Sequence, residues 1–269
     1  MPQETNLNVA PYFDDFDPES NYNKVLFKPA YPVQARELNS LQSILQDQIE
    51  SMGDNLFKEG AMIIPGQLTY NDQFHCIQIQ DEFLGVPVSL YLDQLVGKTI
   101  TGRDSGVTAT VVTYITNEQS VRNTYTLYVN YIESADDNST EQFSDNEVLV
   151  VEESIEYLTT FIASNEGFAT TLATESAQIG SAFILNNGVY YLRGHFVNVE
   201  DQILILDQYS TDSSYRVGLL VKEEIVSSDV DPNLNDNAQG FSNFTAPGAD
   251  RLKITATLAK KNPDDFDDQ

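Results

Sequence analysis

The feature that most constrains this chain is one amphipathic stretch near its start. Leu38, Leu41, Leu45, Ile49, Met52 and Leu56 recur at steps of three and four residues, with Ile44 flanking them. That is the period of an α-helix with a single apolar face. The opposite face carries Arg36, Glu37, Asn39, Gln42, Gln46, Asp47 and Glu50, which tolerate water. Pro32 suits the first turn of such a helix, where its missing N–H is no loss. A helix is therefore predicted from about Val33 to Phe57, roughly 35 Å long at 1.5 Å per residue. It can bury its stripe against β-structure of its own chain or against copies of itself. A coiled-coil seam needs three or four heptads and this one lasts about two and a half, with Gln48 interrupting a strict a/d register. The pattern alone leaves both arrangements open.

Ahead of the helix, Tyr12, Phe13 and Phe16 are interspersed with Asp14, Asp15 and Asp17, and Tyr22 follows. Aromatic anchors set among acids suit an extended arm laid across another surface. Asn21 to Phe27 reads as a short strand before the Lys28-Pro29 break.

Everything after the helix reads as strands. Gln67 to Gln80 suggests two strands around Asn71-Asp72, and Asp104-Ser105-Gly106 a hairpin turn between Thr/Val-rich runs. Thr124 to Glu133 alternates with period two, and Asp136 to Asp145 is a polar loop. Asn186-Asn187-Gly188, between SAFIL and VYYL, is a strong hairpin signal. Strand runs continue through Gln202 to Leu206, Tyr215 to Lys222 and Arg251 to Leu258. The expected fold class is thus mainly β with one long N-terminal α-helix. The segments are an extended docking arm (1–30), an amphipathic, coiled-coil-type oligomerisation helix (31–59), a small β-barrel or sandwich (60–155), a second β-rich domain (156–260) and the start of a linker (261–269).

Composition narrows the function classes. The 269 residues carry 41 acids against 14 bases, a formal net charge of −27, which repels phosphate backbones and anionic headgroups. Direct nucleic-acid binding is not expected. No run approaches the roughly 20 apolar residues of a membrane-spanning helix, so no membrane insertion is expected. A single cysteine, Cys76, excludes an intrachain disulfide framework, and two histidines leave little for metal or acid–base chemistry. Cys76 and His75 are neighbours in a strand pattern and would face opposite ways, which argues against a dyad. His195 reads as a strand residue hydrogen-bonded locally. No phosphate loop, nucleophile elbow or zinc-protease motif occurs, so no catalytic residues and no cofactor are assigned. One weak calcium candidate, Asp229, Asp231, Asn233 and Asn235, has alternating oxygen ligands. Leu234 stands where a calcium loop needs glycine, and Gly240 where it needs a bidentate glutamate.

PYFDDFD, NYNKVLFKPAYPVQARELNSLQSILQDQIE and NLFKEGAMIIPG resemble the N-terminal region of a family of large virion structural proteins of tailed phages, many from contractile-tailed phages of cyanobacteria. GVYYLRGHFVNV, SYRVGLLVKEEIV and APGADRLKITATL are similar to that family's central region. The resemblance implies a non-enzymatic component of the tail, at the baseplate or at tail-fibre attachment, made in the host cytoplasm and residing in the virion. It implies a homo-oligomer, a trimer in preference to a dimer, contacting other tail and baseplate proteins, and members that continue beyond residue 269. The interface expected is Tyr12, Phe13, Phe16 and Tyr22 of the arm with Leu38, Leu41, Leu45, Ile49, Met52 and Leu56 of the helix. The alternative is a receptor- or glycan-binding module at the host-facing end, with Tyr125, Tyr128 and Tyr131 as its contacts.

Overall fold

A computed structural model describes residues 3–135, 140–158, 160–212 and 214–265. The chain is mainly β, 40% strand to 14% helix. Helix α1 spans Ala35–Leu56, and a second helix, α2, spans only Leu92–Leu95, so the long helix is not alone. The strands are β1 (Met62–Ile64), β2 (Leu68–Ile79), β3 (Glu82–Phe83), β4 (Val86–Pro87), β5 (Thr99–Gly102), β6 (Thr108–Ile115), β7 (Tyr125–Glu133) and β8 (Val148–Val151). They continue as β9 (Ile155–Tyr157), β10 (Thr160–Ile162), β11 (Glu166–Thr170), β12 (Ala177–Leu185), β13 (Gly188–Leu192), β14 (His195–Val199), β15 (Gln202–Asp207), β16 (Arg216–Val226) and β17 (Arg251–Lys261). The polar loop at 136–145 and the terminal acidic run lie partly outside the described residues.

Two compact units form, and neither is a contiguous segment. The first takes Met1–Gln67, Leu185–Gln202 and Val217–Ala259; the second takes Leu68–Ile184, Ile203–Arg216 and Lys260–Gln269. The units thus cut across the expected segments 60–155 and 156–260.

The second unit holds one eight-stranded sheet in the order β11-β8-β5-β6-β7-β2-β12-β15. Every pair from β11 to β2 is antiparallel. The last residues of β2 meet the end of β11 through a single bridge, Ile79 to Thr171, flanked by Gln80 N–H to Thr170 O at 2.9 Å. No closed barrel results. The reason is local: β2 already has β7 and β12 as neighbours, so β11 reaches only its tip. Ile77, Ile79, Tyr91, Leu92, Leu95, Ile100 and Phe168 lie in the core beneath this curve. The Asp104–Gly106 turn does join β5 to β6, with Gly106 at φ 72. Its amides are held by the fully buried Glu147 carboxylate, which accepts from Asp104 N–H (2.7 Å), Ser105 N–H, Ser105 Oγ (3.0 Å) and Ser144 N–H (2.8 Å). The turn expected at Asn71-Asp72 is absent. Asn71 Oδ1 accepts from Gln73 N–H within a continuous strand, so its turn chemistry is spent locally.

The first unit holds α1, the sheet β1-β13-β14 and the ribbon β16-β17. Leu185, Tyr190, Leu192, Val197 and Val199 form its core, with Leu219, Val221, Ile254 and Leu258 packed against them. The Asn-Gly hairpin is a correction: β12 and β13 belong to different sheets. Around Asn186 and Gly188 the backbone of Ile64–Gln67 approaches so closely that a Cβ on Gly66 would sit 2.2 Å from Asn186 O. The tight hairpin lies one strand later, at Arg193-Gly194, with φ 50 and φ 78 as a primed turn demands. Asn21 to Phe27 is no strand, because nothing pairs with its backbone as a ladder.

Candidate functional site

Helix α1 starts two residues later than the sequence suggests, with Gln34 as its N-cap, so Pro32 lies outside the first turn. The Glu37 carboxylate closes this end by accepting from Gln34 N–H at 2.9 Å. The helix has two faces, and their use inverts the usual rule. The face turned to its own unit is polar and small. Asn39 Nδ2 donates to Tyr12 O (3.0 Å), Ser40 Oγ to Asp14 (3.2 Å), and Gln46 Nε2 to Gly194 O (2.7 Å). Tyr191 Oη donates to Asp54 at 2.8 Å and to Glu50 O at 3.1 Å. Gly53 is required there, since a Cβ would lie 2.5 Å from the Tyr191 ring. Only Ile44 brings a buried apolar side chain. The apolar stripe is left outside: Leu38, Leu45 (54% exposed), Ile49, Met52 (65% exposed) and Leu56 are exposed, and Leu41 is half-buried.

The stripe also has a sharper period than two and a half heptads. Leu38/Ile49, Leu41/Met52 and Leu45/Leu56 each differ by eleven positions. An eleven-residue repeat, about 3.67 residues per turn, keeps a seam together along a helix with a slight right-handed coil. At about 100° per residue the six side chains fall within roughly 80° of arc. Gln48, which breaks a heptad, fits this repeat as a flank. The stripe's borders are mainly amides, Gln42 on one side with Gln48 and Asn55 on the other, where Glu37 also falls; Asp47, Glu50 and Asp54 point toward the packed face.

The arm is not free at its start. Glu223 accepts from Glu4 N–H (2.9 Å), Thr5 N–H (2.7 Å) and the Thr5 hydroxyl, while Arg193 bridges Glu223 and Glu4 at 2.9 Å each. Burial would raise the Glu223 carboxyl, but these donors outweigh it and hold it at about 2. Tyr12 donates to Asp250, which raises its own pKa, and Asp14 is buried under Ser40 and Ser43. Asp15 pairs with Arg36 in the first turn of α1. Of the four expected anchors, Tyr12 and Phe16 are half-buried within the unit, and Phe13 and Tyr22 (74%) are exposed.

The remaining candidates are engaged in local contacts. Asp231 Oδ1 accepts from Asn233 N–H at 3.0 Å, capping its own 3-10 turn, and among the described residues no three His, Cys, Asp or Glu side chains gather as a metal site. His75 stands edge-on to Tyr131 at 5.2 Å in a shallow depression with Glu133 and Glu141, its pKa lowered by burial. Cys76 is fully buried on another core cluster, and burial pushes its thiol up to about 12, so it is no nucleophile at neutral pH. His195 Nδ1 lies 2.8 Å from Arg193 O. Tyr128 is buried in a stack on Phe74, which withdraws it from the surface, while Tyr125 and Tyr131 are half-buried and pack on the core.

A family described as "Domain of unknown function (DUF4815)" matches residues 10–126 and 166–268. No curated protein and no solved structure matches the chain.

Proposed function

The chain belongs to the DUF4815 family, and from its geometry we propose that it is a non-enzymatic structural protein that assembles with copies of itself through α1. The observation that carries this is the outward apolar stripe. Removing six half-exposed side chains from water contributes roughly 5–8 kcal/mol per copy before association costs. The stripe's eleven-residue period supports in-register packing of parallel helices with a slight right-handed coil, and the resemblance favours three copies over two. Its mainly amide borders support like meeting like: Gln and Asn both donate and accept, so a copy can pair with a copy, and Glu37 is the one acid of the helix at that border. The resemblance of Phe27 to Glu50 to phage virion proteins supports the setting, a tail component at the baseplate or fibre attachment.

The test is the mass of the full chain in solution from about 1 to about 100 µM, the range where modest self-association shows. An oligomer is expected, and Leu45→Glu/Met52→Glu is expected to be a monomer with an unchanged circular dichroism spectrum, because both side chains are exposed within one copy. A wild-type chain that stays monomeric throughout overturns the proposal.

A further inference from the structure

Between the pinned start of the arm and α1 lies a segment that touches little. Residues 17–34 run between Asp15 and Arg36 with all but Val25 exposed, and the Asp15–Arg36 ion pair closes the base. The result is a tethered loop. Within it Tyr22 (74% exposed), Leu26 (74%), Phe27, Tyr31 and Val33 all face solvent. The loop is pre-shaped rather than slack. Asp17 caps a 3-10 turn at Pro18–Ser20 that ends on Asn21 at φ 55, and Pro29, Ala30 at φ 66 and Pro32 fix its second half. Lys28 sits over the Tyr31 ring at 5.9 Å. Little ordering entropy then opposes docking. No acid occurs between Glu19 and Glu37, while Lys24 and Lys28 do, so all 41 acids of the chain lie outside this stretch.

We infer that this loop is a clasp that docks on a second copy of the same chain, beside the α1 seam. The inference rests on the helix-assembly reading. Val33 and Leu38 are both exposed and are separated by only four residues, so the loop's apolar surface ends close to the start of the stripe. Parallel copies bring the same ends of α1 together. Lys24 and Lys28 of one copy then meet Asp17, Glu19 and Glu37 of the next, while Tyr22, Leu26 and Phe27 cover the first turns of the neighbouring helix. Apolar anchors with a basic rim fit a strongly acidic surface, and the strongly acidic partner at hand is another copy.

The experiment measures self-association of the full chain by sedimentation velocity at about 50 and about 300 mM salt. Lys24→Glu/Lys28→Glu is expected to weaken association at least tenfold at low salt, with the gap closing at high salt. Tyr22→Ser/Leu26→Ser is expected to weaken it at both. Lys222→Glu/Lys253→Glu, the same change in charge on the β16-β17 ribbon, serves as control and is expected to match wild type. If both loop variants associate like wild type while Leu45→Glu/Met52→Glu is monomeric, the clasp is wrong and the helix reading stands. If the loop variants lose association and the stripe variant keeps it, the helix reading fails instead. A monomeric wild type overturns both.

Discussion

The Glu223 clamp gives a sharp test of how the N-terminal segment is held. Its carboxylate receives two backbone N–H groups, a hydroxyl and the Arg193 guanidinium, and its pKa falls from 4.5 to about 2. At 1.36 kcal/mol per unit this corresponds to about 3 kcal/mol favouring attachment. Because the attached-state pKa is the depressed one, the contribution is complete above pH 4.5 and is lost as pH falls toward 2. Glu223→Gln imitates that loss at neutral pH: the amide keeps one acceptor and turns N–H groups toward donors. Amide exchange at Glu4 and Thr5, followed by NMR or mass spectrometry, should then accelerate roughly 100-fold at pH 7, the factor corresponding to about 3 kcal/mol. In wild type, protection corrected for intrinsic rate should fall between pH 5 and 3. Protection at Thr5 within threefold of wild type in Glu223→Gln would refute the reasoning, as would a pH-independent wild type.

Two further outcomes follow from buried polar groups. Tyr190 is buried in the core of the first unit, and among the described residues its hydroxyl has no hydrogen-bond partner. Tyr190→Phe should therefore stabilise by about 1 kcal/mol, read as a higher Tm by calorimetry, whereas a loss of that size points to a partner for the hydroxyl. Glu147→Gln places an NH2 group among Asp104, Ser105 and Ser144 donors. It should cost about 3 kcal/mol in urea unfolding of the second unit, less than the gross bond count, since Asp104 and Ser144 can find water. A cost below 1 kcal/mol would show that the carboxylate is not what holds the turn.

Local elements were largely legible in the sequence. The α1 period, the β5–β6 turn at Gly106 and the alternation of β7 are short-range signals, and all three elements form there. The misses share one cause. Asn186-Asn187-Gly188 carries hairpin chemistry, but whether two adjacent strands pair depends on what else occupies their edges, and β13 finds β1 and β14 instead. Asn71-Asp72 likewise reads as a turn until the neighbours of β2 keep it extended. The barrel failed for the same kind of reason, since closure needs a free edge that β2 does not have.

The candidate site divides in the same way. The eleven-residue repeat of Leu38, Leu41 and Leu45 with Ile49, Met52 and Leu56 was available in the sequence to anyone counting beyond heptads. The Glu223–Arg193–Glu4 clamp was not, because its members are brought together from distant parts of the chain. By itself the sequence determined that one helix has an apolar face, that most regular structure after it is strand, and that the chain is strongly acidic. Only the tertiary structure decided which way that helix turns. Tyr191, Gly194 and the arm offer hydrogen bonds and close approach to its polar side. Those directional contacts claim Asn39, Ser40, Gln46 and Gly53 and leave the stripe outside. A periodic pattern records that a surface is apolar; it holds no record of what will cover it.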